Sequence, residues 1–318
     1  MKNKKIVCYG SGMIGSGWAT HFILKGYETV VFDIDTTKTE QAVNMIKNNL
    51  LFLQKENVVS EDEVKLCIDR LTATTDVEEA VSGAFFIQEN GPENYEIKRK
   101  IISDIEKFAP KEAIIASSTS GLLISEIAKE AKYPERVIGA HPYNPPHLIP
   151  LVELAQGDKT GEEFLQNAYD FYISIDKEPV ILNKELPGFI ANRLALALYR
   201  EAADIVENGV CSFEDVDRAC LFGPGLRYGL LGPNLIYQLG GGAYGVKGIL
   251  THIGPAVEAW WEDMAKWIKW PEGYADRVQA GVNAEMKNRK TEQGNTNAEI
   301  AEFRDKGLVN LLKFHDKL

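Results

Sequence analysis

Apolar residues in the first 180 or so positions fall into short runs, separated by stretches of helical period. Lys4-Lys5-Ile6-Val7 turns from charged to apolar and predicts a first strand. Residues 16–24 predict a helix ending near Gly26, and residues 28–33 a second strand. From 36 to 71 the period is helical, with Val43, Ile46, Leu50, Leu51 and Leu53 on it. Polar residues 57–63 interrupt that pattern. Ser60 and Glu63 have the form of a capping box, so two antiparallel helices are expected. Strands are then predicted at 71–74, 84–89, 113–117 and 137–141, with helices at 76–81, 96–108 and around 124–131 between them. Two more strands are read at 151–154 and 179–182. Such alternation predicts an α/β fold with a doubly wound, mostly parallel sheet, which places ligands at the carboxyl ends of its strands.

The pattern changes near Pro187. Leu194, Leu196, Leu198, Ala202, Ile205 and Val206 follow a helical period, and a second helix is read over 210–222 with Ser212 as its N-cap. Glycine-rich breaks are expected at Gly223-Pro224-Gly225 and Gly240-Gly241-Gly242. The chain therefore divides into residues 1–186 and an all-helical second domain, 187–318. Two-domain proteins of this kind hold small ligands in the cleft between domains.

Composition narrows the partners. The 318 residues carry 35 basic and 46 acidic side chains, a formal charge of −11, which disfavours nucleic acid and anionic membrane. Cys8, Cys67, Cys211 and Cys220 show no CxxC pair or metal spacing, so no metal is expected, and they read as reduced thiols. The chain runs straight into a strand and contains no apolar run of ~18 residues. A cytoplasmic protein without signal peptide or membrane span is expected.

The candidate chemistry begins at Gly10-Ser11-Gly12-Met13-Ile14-Gly15, between the first strand and the first helix. A Gly-x-Gly-x-x-Gly turn in that position is a dinucleotide-binding fingerprint. Gly10 permits the tight turn, Gly12 keeps side-chain atoms away from a pyrophosphate, and Gly15 lets helix and strand approach. The pyrophosphate would meet free N–H groups at the positive end of the helix dipole. Asp33 ends the second strand at the spacing of the acid that binds ribose hydroxyls. Asp33 and Asp35 would repel a 2′-phosphate, and no Arg or Lys precedes Lys38 in this segment, so the expected cofactor is NAD.

Of the five histidines, His141 falls at the carboxyl end of a strand, where its imidazole could exchange a proton with a substrate alcohol. Glu153, on the next strand, could reach the far ring nitrogen and fix its tautomer.

Taken together, several segments resemble the 3-hydroxyacyl-CoA dehydrogenase superfamily along the chain's length: the glycine turn, residues 93–98, Ser118-Thr119-Ser120, His141-Pro142-Tyr143-Asn144-Pro145, residues 151–153, and Pro187-Gly188-Phe189-Ile190-Ala191-Asn192-Arg193. The resemblance implies a Rossmann-like first domain, with His141 as general base paired to Glu153, and Ser120 and Asn192 hydrogen-bonded to the reacting oxygen. It further implies that Asn144 supports the site, and that Glu93 and Lys98 border the nicotinamide ribose. Helical second domains of this type often pair, so a homodimer is expected.

Ser118 and the Pro142-Tyr143 pair depart from the acyl-CoA enzymes, which usually carry Asn-Thr-Ser and His-Phe-Phe-Asn-Pro. Residues 86–89, 117–123 and 223–228 instead resemble the branch containing L-carnitine 3-dehydrogenase and L-gulonate 3-dehydrogenase (lambda-crystallin), which oxidises free 3-hydroxy acids. The tail from Gln293 to Leu308 looks most like the carnitine enzymes. Arg227, after the Gly-Pro-Gly break, could grip a substrate carboxylate with its guanidinium fork. The aromatics Tyr237, Tyr244, Trp260 and Trp261 would suit a quaternary ammonium, although core or interface packing is an equal reading of each. Carnitine uses both features and is the favoured substrate. Gulonate, a hydroxybutyryl-CoA thioester and a non-enzymatic crystallin-like role stand as alternatives.

Overall fold

The computed structural model describes residues 4–318. Two compact units emerge from the contacts. One takes in the described residues up to Asn192 and returns for Leu308–Leu318; the other is Arg193–Gly307.

The first unit is built on an eight-stranded sheet in the order β3-β2-β1-β4-β5-β6-β7-β8. Its elements are β1 (Lys5–Tyr9), α1 (Met13–Leu24), β2 (Glu28–Phe32), α2 (Thr36–Lys55), α3 (Glu61–Asp69), β3 (Leu71–Thr74), α4 (Val77–Val81), β4 (Ala84–Glu89), α5 (Tyr95–Ile105), β5 (Ile114–Ser117), α6 (Ile124–Ile127), β6 (Val137–Pro142), β7 (Leu151–Gln156), α7 (Glu162–Ser174) and β8 (Glu178–Ile181). All neighbours pair in parallel except β6 and β7. Side chains alternate across the sheet, so Ile6 and Cys8 of β1 join one core with Trp18, Phe22 and Phe86, while Val7 and Tyr9 join another with Ile87, Ile102 and Ile115. Burying both faces explains why these strands read as nearly continuous apolar runs.

The capping box at Ser60 forms as expected: the Ser60 hydroxyl accepts from the Glu63 amide, and the Glu63 carboxylate accepts from the Ser60 amide. The expected helix at 124–131 shrinks to α6. A helix that the pattern above leaves unassigned, α7, bridges β7 and β8. Its Leu165, Ala168, Phe171 and Tyr172 recur at helical spacing and are buried against the sheet.

The second unit is helical. It contains α8 (Ala191–Glu207, which starts at the end of the first unit), α9 (Phe213–Cys220), α10 (Leu226–Tyr228), α11 (Pro233–Gly240), α12 (Gly245–Asp263), α13 (Tyr274–Asn288) and the first part of α14 (Asn297–Phe314). Ser212 caps α9 by accepting from the Asp215 amide. The break expected at Gly223-Pro224-Gly225 takes the form of a kink. The segment continues α9 as a π-helical turn kinked at Gly223, where φ is −97° and ψ −106°. Pro224 has no N–H for the helical ladder, and the wider turn accommodates it. The end of α14 belongs to the first unit, where Val309 and Leu312 cover Leu53 and Leu148. Among the described residues no helix is long and apolar enough to cross a membrane.

Candidate active site

Three groups of residues gather at the carboxyl ends of the first unit's strands. The first is the glycine turn between β1 and α1. A Cβ on Gly15 would lie 1.9 Å from the Gly10 carbonyl oxygen, so only glycine lets α1 start so close to the turn. A Cβ on Gly12 would meet nothing within 4 Å, which leaves space over the backbone for a ligand. Gly12 is the N-cap of α1, no side chain caps it, and the first turn holds no acid. The exposed amides therefore keep their attraction for an anion. Met13, at the helix start, is exposed, and Ile14 packs partly against the core. Asp33 sits against the same turn, its Oδ2 accepting from the Ser11 amide at 3.1 Å and the Ser11 hydroxyl at 2.7 Å. These features fit a dinucleotide whose ribose hydroxyls meet Asp33. Lys38 Nζ comes within 3.9 Å of Asp33 Oδ1 and offsets part of its charge.

The second group is His141 with Glu153. The antiparallel register of β6 and β7 makes them direct partners across the ladder. His141 Nδ1 lies 2.8 Å from Glu153 Oε2, with His141 only 6% exposed and Glu153 fully buried. The other carboxylate oxygen, Oε1, accepts from the amides of Ile190 (2.7 Å) and Ala191 (2.9 Å) at the start of α8. That is why the chain carries Pro187-Gly188-Phe189 there. Gly188 and Phe189 adopt positive φ (75° and 48°), and this turn points the following amides at Glu153. Burial pushes the Glu153 carboxyl up, but the bonds from His141, Ala191 and Ile190 outweigh it and hold the group below its ordinary range. An ionised Glu153 orients the ring so that Nδ1–H donates to it and Nε2 is left to accept a proton. Phe189 and Tyr143 flank the imidazole, with ring centroids 5.7 and 6.2 Å away.

The third group is the turn after β5. Glu93 Oε1 accepts from the Thr119 hydroxyl (2.7 Å) and the Ser120 amide (2.8 Å), and Asn192 Nδ2 donates to the Ser120 carbonyl at 2.9 Å. Gly121 backs onto Gly188, where a Cβ would come within 2.5 Å of the Gly188 nitrogen. Ser120 is exposed, its hydroxyl available to a ligand. Asn144 is exposed at the cis peptide before Pro145. Lys98 is buried, its ammonium taken up by Glu89 and the Gly91 carbonyl, with Glu93 at 3.9 Å. It thus lies beneath the loop that presents Glu93.

Arg227 belongs to the second unit, on the short helix α10.

Several polar residues behind this site, Gln88, Glu89, Ser117 and Thr119 buried and Asn90 half-buried, were given no individual role by the sequence reading. Gln88 Nε2 donates to the Ser118 hydroxyl at 2.9 Å, the Tyr172 hydroxyl donates to Gln88 Oε1 at 2.6 Å, and the Ser118 hydroxyl donates to Asn90 Oδ1 at 2.8 Å. Ser118, where the acyl-CoA enzymes usually carry Asn, is thus bonded from both sides. The available signal was a Gln-Glu pair closing an otherwise apolar strand.

A strand-end histidine oriented by a buried carboxylate, beside a dinucleotide turn, is the apparatus of an NAD-dependent dehydrogenase. The chain belongs to the 3-hydroxyacyl-CoA dehydrogenase family, matching that family's NAD-binding domain over residues 5–186 and its C-terminal domain over 188–296. It is 38% identical over 317 residues to the L-carnitine dehydrogenase of Bacillus cereus, covering 99% of this chain and 93% of that one. It is 36% identical over 322 residues to a protein of Gibberella moniliformis named 3-hydroxyacyl-CoA dehydrogenase, covering 99% and 96%. Among solved structures it is similar to 5-formyl-3-hydroxy-2-methylpyridine 4-carboxylic acid 5-dehydrogenase, described as an NAD+-dependent dismutase. There the TM-score is 0.79 and the identity 28%, covering 98% of this chain and 97% of that one.

The placement of Asp33 carries a prediction about the cofactor. A like-charge contact at ~4 Å is worth ~1–4 kcal/mol between water and a surface dielectric. NAD should therefore bind at least about fivefold more tightly than NADP. Titrating both against the protein's tryptophan fluorescence measures the ratio; equal affinities would mean that Lys38 cancels the effect of Asp33.

Proposed function

We propose that the protein oxidises a free 3-hydroxy acid with NAD, L-carnitine or a close analogue being the substrate, and that it works in the cytoplasm as a homodimer. The observation that carries the reading is the buried His141–Glu153 pair, whose geometry leaves Nε2 as a proton acceptor. Ser120 and Asn192 would hydrogen-bond the C3 oxygen and hold its proton toward Nε2. As the hydroxyl proton reaches His141, the Glu153 carboxylate stabilises the imidazolium. The chemistry that NAD supplies when bound is acceptance of the C3 hydride. Run in reverse, the imidazolium returns its proton to the carbonyl oxygen.

Two features support a free acid over a thioester. The relatives include an L-carnitine dehydrogenase, and Arg227 offers a bidentate anchor for a carboxylate against an acidic background. Tyr237, Tyr244, Trp260 and Trp261 are exposed, not core, so they are available to a cationic head group or to a partner subunit. The deciding experiment is NADH formation over carnitine, gulonate, 3-hydroxybutyrate and its coenzyme A thioester. Carnitine should turn over best. Because hydrogen bonds to a charged group are worth ~1.5–3 kcal/mol, Arg227→Ala should raise the KM for the free acid by about 10- to 100-fold. An unchanged KM removes the anchor, preferential turnover of gulonate removes the ammonium argument, and activity confined to the thioester removes the free-acid reading.

The dimer is supported by α8, where Ala203 alone is buried while Leu194 (60% exposed), Leu196 and Leu198 face outward. Leu194 and Leu198 share one face and Leu196 lies on the other; apolar side chains left uncovered in this way are what a subunit interface covers. Sedimentation should give twice the 35.4 kDa chain mass, and Leu194→Glu with Leu198→Glu should return the monomer mass. A parent that sediments as a monomer refutes the pairing.

A further inference from the structure

Glu89 and Lys98 form an ion pair with each residue 1% exposed. Burying two charges is unfavourable unless both are paired and fully hydrogen-bonded, and here they are. Glu89 accepts from Lys98 Nζ at 3.0 Å on Oε1 and 2.9 Å on Oε2, from the Gly91 amide at 2.6 Å and from the Ser117 hydroxyl at 2.5 Å. Lys98 adds a bond to the Gly91 carbonyl at 3.1 Å. Gly91 is thus held by both its N–H and its C=O. The same ammonium lies 3.9 Å from Glu93 Oε2, whose other oxygen holds the Thr119 hydroxyl and the Ser120 amide.

The pair's contacts are directed at the site. Glu89 closes β4, Ser117 closes β5, and Lys98 comes from α5. Between them they fix the 90–94 loop that carries Glu93 and the 118–121 turn that carries Ser120. Asn192 is tied in through the Ser120 carbonyl. An apolar pair could fill the same volume at no loss of stability, but it could not grip Gly91 from both sides or steer the Glu93 carboxylate.

We propose that Glu89 is a positioning residue of the dehydrogenase site, acting through Lys98 and Glu93 to set Ser120 and Asn192 against the reacting oxygen. The activity part of this proposal rests on the function proposed above. The test compares Glu89→Gln with the double variant Glu89→Gln/Lys98→Met, which removes both buried charges. Glu89→Gln should lower kcat/KM for the 3-hydroxy acid on the order of 10- to 100-fold, the usual consequence of a small misplacement, while NAD binding is retained. The double variant should regain the parent's melting temperature yet keep the low kcat/KM. In both, backbone amides of residues 117–122 should exchange hydrogen faster than in the parent, a readout that needs no substrate. Recovery of kcat/KM along with stability in the double variant would reduce the pair to a structural role and overturn the proposal, as would parent-like exchange in that segment. If the parent oxidises none of the acids, the function reading fails on its own, and the exchange result alone decides the positioning role.

Discussion

Replacing His141 with glutamine is expected to lower kcat by about 10²- to 10⁴-fold, the usual worth of a general base, with NAD affinity unchanged. Glutamine is near the imidazole in size and can still bond Glu153, so the fold should tolerate it. It cannot take up a proton at neutral pH, so the C3 hydroxyl would lose its acceptor as hydride leaves. NAD affinity should persist because the glycine turn and Asp33 lie at the carboxyl ends of β1 and β2, whereas His141 lies on β6. Initial rates followed by NADH absorbance, with NAD binding followed by fluorescence, separate the two effects. Turnover within tenfold of the parent at matched folding would remove His141 from the role of base.

The route to this site was legible in the sequence where chemistry sits at the end of a strand. The glycine turn, Asp33 and His141 each follow an apolar run that could only be a sheet strand, and strand ends are where a doubly wound sheet holds its ligands. Glu153 was legible in kind, as an acid on the neighbouring strand. That it faces His141 directly depends on the antiparallel register of β6 and β7, which the 142–150 loop sets and no periodicity encodes.

Pairing across loops was hidden for the same reason. The family resemblance placed Lys98 beside the nicotinamide ribose, and only the folded chain shows its ammonium under Gly91 and against Glu89. Glu89 itself was overlooked because a lone acid at a strand end is also what a turn would carry. The helix α7 is a different case. Its apolar spacing was present in the sequence, and its polar residues 161–163 gave a start signal, so this miss reflects no physical ambiguity. The Gly223-Pro224-Gly225 segment was legible as a break, and the backbone does leave helical geometry at Gly223; composition did not show that the break would be a kink between two helical turns and not a loop.

Exchanging Glu153 for glutamine should be almost as damaging to catalysis as losing His141, although one atom changes. The carboxylate now accepts three bonds, from His141 Nδ1 and from the amides of Ile190 and Ala191. A carboxamide offers one accepting oxygen and one donating nitrogen. If the oxygen stays on the two amides, the NH2 group faces Nδ1 and forces the ring into the tautomer that carries its proton on Nε2. That tautomer cannot accept from the substrate, and the imidazolium loses its counter-charge; a wrong tautomer of this kind costs about 10⁴-fold in a serine protease triad. If the amide turns round, its nitrogen meets two backbone donors and the start of α8 is left unsatisfied, at ~1–3 kcal/mol of stability.

Stability should also change its dependence on pH. The folded chain holds the Glu153 carboxyl below its ordinary value, so the fold favours the ionised form. Its contribution is complete above the unfolded carboxyl's ~4.3 and is lost as pH falls from there through the lowered folded value. Glu153→Gln lacks that contribution at every pH. The gap in melting temperature between parent and variant should therefore be widest near neutral pH and narrow on acidification below ~4. Paired melts at pH ~7 and ~3.5, with kcat at the higher pH, test both consequences of the one buried carboxylate. A gap that stays constant with pH would show that Glu153 holds no charge for the fold, and a variant that keeps parental turnover would show that it does not orient His141.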